Sequence, residues 1–92
     1  MNREWFVYMV ECCDGSIYTG ISVDVLRRVK AHNSGRGARY TRSRRPVTIR
    51  YISEPMAHGD ALRREMQIKK LSRNRKLAMI KEYTGRDLNG CR

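Results

Sequence analysis

Aromatic rings are scarce in this 92-residue chain, with one Trp, one Phe and five Tyr. The core must be mostly aliphatic, and the length allows one small domain. Cysteine is almost as rare. Cys12, Cys13 and Cys91 form an odd set with an adjacent pair, which argues against a disulfide framework, and no Cys-x-x-Cys starts a zinc site. No apolar run approaches the ~20 residues of a membrane span, and Met1–Trp5 lacks the apolar stretch of a signal peptide, so a cytoplasmic protein is expected. Acid is also in short supply. Nine Asp and Glu face 20 Lys and Arg, for a formal net charge of +11. That excess asks for a polyanionic partner. The basic residues run along the whole chain rather than down one side of an amphipathic helix, which favours nucleic acid over a membrane surface.

What is present divides cleanly. Trp5–Cys13 is apolar, β-branched and aromatic, and reads as a strand. Asp14-Gly15 marks a hairpin turn, and Ser16–Ser22 is the returning strand. Asp24 can cap a helix from Val25 to about His32. Asn33–Arg45 is rich in Gly, Ser and Arg and reads as a loop or broken helix. Pro46–Ser53 is a third strand, with Val47, Ile49 and Tyr51 alternating against Thr48, Arg50 and Ile52. His58–Leu71 is a helix, and Ser72 can cap a last one from Arg73 to about Tyr83. Residues 84–92 carry two glycines and little apolar content, and are expected to form a flexible tail after a single domain over 1–83. The order β-β-α-β-α-α with short connections predicts an α+β fold, a three-stranded, mainly antiparallel sheet flanked by helices.

Helical phase singles out three polar residues. With Val25 at zero, Val29 falls at about 40° and His32 at about −20°, while Arg28 falls at about −60° and Arg27 at about 200°. Arg27 therefore points to solvent, whereas Arg28 and His32 lie on or beside the buried stripe, one turn apart. Either residue alone can be a satisfied rim residue. In the later helix, with Ala61 at zero, Ile68 falls at about −20° and Glu65 at about 40°, inside the apolar arc. A carboxylate there needs a partner, either an Arg or a bound metal ion.

Five ordered segments then carry a resemblance: Val7-Tyr8-Met9, Tyr18-Thr19-Gly20, Arg28 with His32, Gly-Arg-Gly-Ala-Arg-Tyr-Thr-Arg at 35–42, and Ala-Leu-Arg-Arg-Glu-Met-Gln-Ile-Lys-Lys-Leu at 61–71. Together they resemble the GIY-YIG nucleases, in particular small stand-alone bacterial members, over Trp5 to Lys81. The first triad shifts its tyrosine relative to Gly-Ile-Tyr, Thr19 stands where Ile is usual, and Asn74 is the one candidate for an Asn found beyond the glutamate in many members.

The resemblance implies a metal-dependent endonuclease that hydrolyses nucleic-acid phosphodiesters. Glu65 would hold one Mg²⁺, or Mn²⁺ in its place, Arg28 would bind non-bridging phosphate oxygens, and Tyr8, Tyr18 and His32 would position or deprotonate the attacking water. His32 is the easier base by reference pKa, and the choice among the three stays open. Gly20 would leave space for a phosphate beside the tyrosines. Arg36, Arg39, Tyr40, Arg42, Arg44, Arg45 and Lys69 would bind the nucleic acid. DNA is expected over RNA, single-stranded or structured forms over duplex, and a monomer over an oligomer, because the chain has no segment to spare for a second DNA-binding module. The competing reading is a basic nucleic-acid-binding module without catalysis, which gives no reason for Glu65. A turn of three residues, Cys13-Asp14-Gly15 with Gly15 as the bulge residue, is required if Tyr8 and Tyr18 are to share one face of the hairpin.

Overall fold

Strand β1 (Phe6–Glu11) is apolar at successive positions because it is central and covered on both faces. In the computed structural model, which describes the backbone of residues 3–91 and the side chains of residues 3–83, Val7, Tyr8, Met9 and Val10 are all buried. β1 pairs antiparallel with β2 (Ile17–Ser22) on one side and with β3 (Thr48–Ile52) on the other, giving the sheet order β2-β1-β3. The sheet is three-stranded and antiparallel, as expected.

The hairpin closes in the bulged form. The Cys12 N–H donates to Ser16 O at 2.8 Å, the Gly15 N–H donates to Cys12 O at 2.9 Å, and Gly15 sits at φ +85°. The Asp14 carboxylate accepts from both the Ser16 N–H and its hydroxyl, which fixes the turn. Register follows from this turn. Tyr8 pairs with Gly20 and Val10 with Tyr18, so the two tyrosines share a face.

α1 (Val25–Asn33) starts at Asp24, whose side chain accepts from the Arg27 N–H at 3.1 Å. Its Val25 packs into the cluster of Tyr8, Val10, Cys12 and Val47 on one face of the sheet. Leu26, in the first turn of α1, is 69% exposed. Its phase of about 100° from Val25 puts it off the edge of the buried stripe rather than on it. At the far end of α1 the Asn33 side chain takes the place of a strand neighbour. It accepts from the Val47 N–H at 2.7 Å and donates to Val47 O at 3.1 Å, tying the start of β3 to α1. The Arg-rich connection contains one helical turn, α2 (Arg39–Arg42).

The simple alternation expected in the third strand does not hold. A register shift opposite Met9 and Val10 pairs Met9 with Tyr51 but Val10 with Ile49. Arg50 is thereby left without a partner in the ladder, and Ile49 and Ile52 pack on the α1 face while Tyr51 packs on the other. The opposite face holds Val7 and Met9 against Ala61 and Ile68 of α3 (His58–Lys69), with Met79 and Ile80 of α4 (Arg73–Cys91) at the margin. α4 runs beyond the expected end near Tyr83. The side chains of the expected tail, 84–92, lie outside the described residues. Among the described residues no helix is long and apolar enough to cross a membrane.

Candidate active site

Tyr8 reaches from the central strand across Gly20 on the edge strand. An added Cβ at Gly20 would lie 2.6 Å from the Tyr8 hydroxyl oxygen, so only glycine leaves the phenol its place. At the end of that reach the phenol oxygen lies 2.8 Å from Nε2 of His32. His32 comes from the last turn of α1 and is fully buried, and Tyr8 is 1% exposed. The other ring nitrogen, Nδ1, lies 2.8 Å from Oγ1 of Thr41 on α2. Burial pushes the Tyr8 phenol up to about 12, with the negative charge of Glu65 a minor addition and the neighbouring Arg28 acting against it. Burial, then the positive charge of Arg28, holds His32 below the usual imidazole range. Both groups are therefore neutral at pH 7.

Tyr18 completes the aromatic wall. Its ring centroid is 6.5 Å from that of Tyr8 and 5.3 Å from that of His32, the latter edge-on. Tyr18 is only half-buried, and Tyr40 of α2 stacks on it at 5.9 Å. Arg44 lies over the Tyr40 ring at 4.1 Å and pairs with Asp14 of the hairpin turn at 3.1 Å. One chain of contacts thus runs from the turn to the site.

Arg28 and Arg27 separate as their phases require. Arg27 is exposed, and Arg28 is half-buried with its guanidinium beside Tyr8 and His32. Glu65 lies on α3 between Ala61 and Ile68, the two buried contacts of that helix with the sheet. Its side chain is 17% exposed, its charge is felt at Tyr8, and its one ion pair among the described residues is with Lys69 at 3.4 Å. The structural partner is therefore a lysine one turn along and not an arginine, at a distance too long for a strong bond. Lys69 is thus turned onto Glu65. Thr19, on the α3-facing side of β2, carries the one buried side-chain oxygen without a partner among the described residues. No three of His, Cys, Asp and Glu cluster as a metal cage among the described residues. What remains is a half-buried carboxylate on α3 whose charge is felt at the Tyr8 phenol, the phenol that meets the His32 imidazole and lies beside the Arg28 guanidinium.

Residues 4–78 match the GIY-YIG catalytic domain. The chain belongs to the GIY-YIG family. It is 50% identical over 78 residues to a UPF0213 protein of Desulfotalea psychrophila, covering 84% of this chain and 71% of that one. It is 52% identical over 74 residues to a UPF0213 protein of Halobacterium salinarum, covering 80% and 96%. Among solved structures it is similar to the solution NMR structure of a UPF0213 protein from Bacillus halodurans, with TM-score 0.54, 42% identity and 85% and 83% of the two chains covered. A second NMR structure, of a protein from E. faecalis, gives TM-score 0.60 at 35% identity over 91% and 92%. A GIY-YIG domain implies nuclease activity on nucleic acids.

Within the GIY-YIG frame the first triad needs no shift. Phe6-Val7-Tyr8 puts the tyrosine third, and Tyr8 is the ring that enters the site. Tyr8, Tyr18, Gly20, Arg28 and His32 lie together, and Glu65 on α3 is near enough for its charge to be felt at Tyr8. The basic stretch gathers less uniformly. Arg36, Arg39, Tyr40 and Arg42 are exposed, and Arg39 and Arg42 make no side-chain hydrogen bond among the described residues. Arg44 and Arg45 are occupied within the fold: Arg44 by Asp14 and Tyr40, and Arg45 by the backbone oxygens of Arg42 and Asn33.

Thr41 and Gly37 are the residues that sequence reasoning passed over. Thr41 is fully buried against His32, and a side chain at Gly37 would collide with the imidazole. The signal was present in the quoted 35–42 segment, where an apolar-sized Thr interrupts a run of exposed arginines.

Proposed function

We propose that this GIY-YIG protein is a metal-dependent endonuclease whose substrate is DNA, single-stranded or structured in preference to duplex, acting as a monomer in the cytoplasm. The observation that carries the reading is the half-buried Glu65, held only loosely by Lys69 and near enough to the Tyr8–His32 pair for its charge to be felt at Tyr8. A binding module gains nothing from a carboxylate beside a polyanion.

The residues fit a Mg²⁺ ion, with Mn²⁺ as a substitute. Mg²⁺ is commonly held by one or two carboxylates, several waters and substrate phosphate, and a lone carboxylate with only a 3.4 Å lysine contact leaves that position open to exchange. Glu65 would hold the ion, which when bound supplies charge neutralisation at the scissile phosphate and the leaving oxygen.

Everything else is work for the chain itself. Arg28 turns its planar fork to the non-bridging oxygens, which uncovers the Tyr8 phenol it now lies beside. Tyr8 and His32 together accept the proton of the attacking water, a task for which a phenol alone is too weakly basic at neutral pH. Tyr18, the more exposed tyrosine, walls the place where water and phosphate meet. The space at Gly20 that the sequence assigned to a phosphate is filled by the Tyr8 ring, so Gly20 serves the site by seating the phenol. Arg36, Arg39 and Arg42 track the strand, with Tyr40 at its side. Lys69, which pairs with Glu65 at 3.4 Å, would join them if Glu65 held the ion instead.

The direct test is incubation with end-labelled single-stranded and duplex DNA, with Mg²⁺ or EDTA. Metal-dependent cutting, faster on the single strand, is expected. Binding without cutting under every condition would return the non-catalytic module, and faster cutting of a blunt duplex would overturn the strand preference alone.

A further inference from the structure

The Tyr8 proton fixes the direction of a chain of hydrogen bonds that ends at the start of α2. The phenol is neutral and 1% exposed, so its O–H needs a protein acceptor. Arg28 beside it can only donate. Among the described residues the acceptor at hydrogen-bond distance is Nε2 of His32, at 2.8 Å. A neutral imidazole that accepts at Nε2 carries its proton on Nδ1. Nδ1 lies 2.8 Å from Oγ1 of Thr41, which must then accept, and the Thr41 hydroxyl passes its own proton to Ala38 O at 2.9 Å. The reverse tautomer would leave the Tyr8 oxygen between two donors, with its own proton unplaced. The one contact that favours the reverse, from the Ala38 N–H to Nδ1, is the longest of the set at 3.3 Å.

We infer that Thr41 is a positioning residue: its hydroxyl, anchored on Ala38 O, holds His32 in the Nδ1–H tautomer so that Nε2 stands ready for the Tyr8 proton. The inference rests on the nuclease reading for its consequence, although the hydrogen-bond assignment stands independently of it. As the phenol takes a proton from water, its own O–H bond breaks toward Nε2, and the imidazolium that forms carries its second N–H on Nδ1, still bonded to Thr41. Thr41 is fully buried and touches no substrate. The α2 turn that carries it also packs Tyr40 on Tyr18, and Gly37 lets the preceding loop close over the ring.

Two readouts test this. Long-range ¹H–¹⁵N spectra of the protein without substrate report which ring nitrogen of His32 carries the proton. The wild type is expected to read Nδ1–H. Thr41→Val keeps the shape and removes the acceptor, so the ring is expected to lose that tautomer preference, and Thr41→Ser to retain it. In cleavage of single-stranded DNA with Mg²⁺, Thr41→Val should lower kcat at least about tenfold with KM unchanged, well short of the ~10⁴ seen where a triad histidine is left in the wrong tautomer. Thr41→Ser should recover most of the rate. A wild-type spectrum showing Nε2–H overturns the inference whatever the variants do. So does a Thr41→Val protein with unaltered tautomer and kcat. If no preparation cuts DNA, the nuclease reading fails, while the spectra still decide the assignment.

Discussion

A methyl group placed on Gly20 would lie 2.6 Å from the Tyr8 hydroxyl oxygen. Gly20→Ala must therefore push the phenol off His32 or bend β2, at a cost of about 1–3 kcal/mol by the usual scale of overpacking. A melting curve and a cleavage assay on the same variant are expected to show modest destabilisation with a disproportionate loss of rate. At the same scale Arg28 and Arg27 form a matched pair, adjacent and chemically identical. Arg28→Ala should lower the cleavage rate on the order of 100-fold, the scale for losing one preorganised donor to a transition-state anion. Arg27→Ala should alter only nonspecific affinity, and equal rate effects would place the site elsewhere. Buried His32 also makes stability depend on pH. Its folded pKa is depressed below the reference 6.5, so the unfolded chain binds the extra proton first. The stability that His32 contributes is full above about pH 6.5 and is lost as pH falls through the folded value. Denaturant midpoints should drop below pH 6.5 in the wild type, and less steeply in His32→Gln.

Between α1 and β3 the single side chain of Asn33 satisfies both backbone groups of Val47. Asn33→Ala leaves a donor and an acceptor without partners at the start of an edge strand, at about 1–3 kcal/mol for a group left unsatisfied. Melting should fall by several degrees, since about 4–8 °C per kcal/mol is usual for a domain of this size. Sequence did not reveal this bracket, because an Asn at a helix end reads as part of a polar loop and its partner is 14 residues on. It did reveal the elements themselves, the Asp24 cap and the shared face of Tyr8 and Tyr18, because each depends on local periodicity or turn chemistry. The alternation of β3 misled for the opposite reason. The bulge opposite Met9 and Val10 is set by two covered faces competing for Ile49, Tyr51 and Ile52, which no strand declares alone. Likewise helical phase found His32 and Glu65, but it could not find Thr41, whose role exists only once α2 folds over α1.

Over the whole molecule a net charge of +11 draws in any polyanion, and the fold decides which arginines remain available. Arg44 and Arg45 are tied to Asp14 and to backbone oxygens, so their loss should weaken the fold more than the grip on DNA. Arg39 and Arg42 are exposed, and replacing each with Gln should reduce the slope of log affinity against log salt by about 0.7 per phosphate contact on a single strand. A slope unchanged in the double variant would remove α2 from the binding surface. The central claim is that binding and cutting part company at one carboxylate. Glu65→Gln keeps the size and the helix and removes the charge that would hold the ion. Its cleavage of labelled single-stranded DNA in Mg²⁺ should be abolished, while affinity for the same strand stays equal or rises. Cutting at the wild-type rate would contradict the account and leave Glu65 as the partner of Lys69 alone.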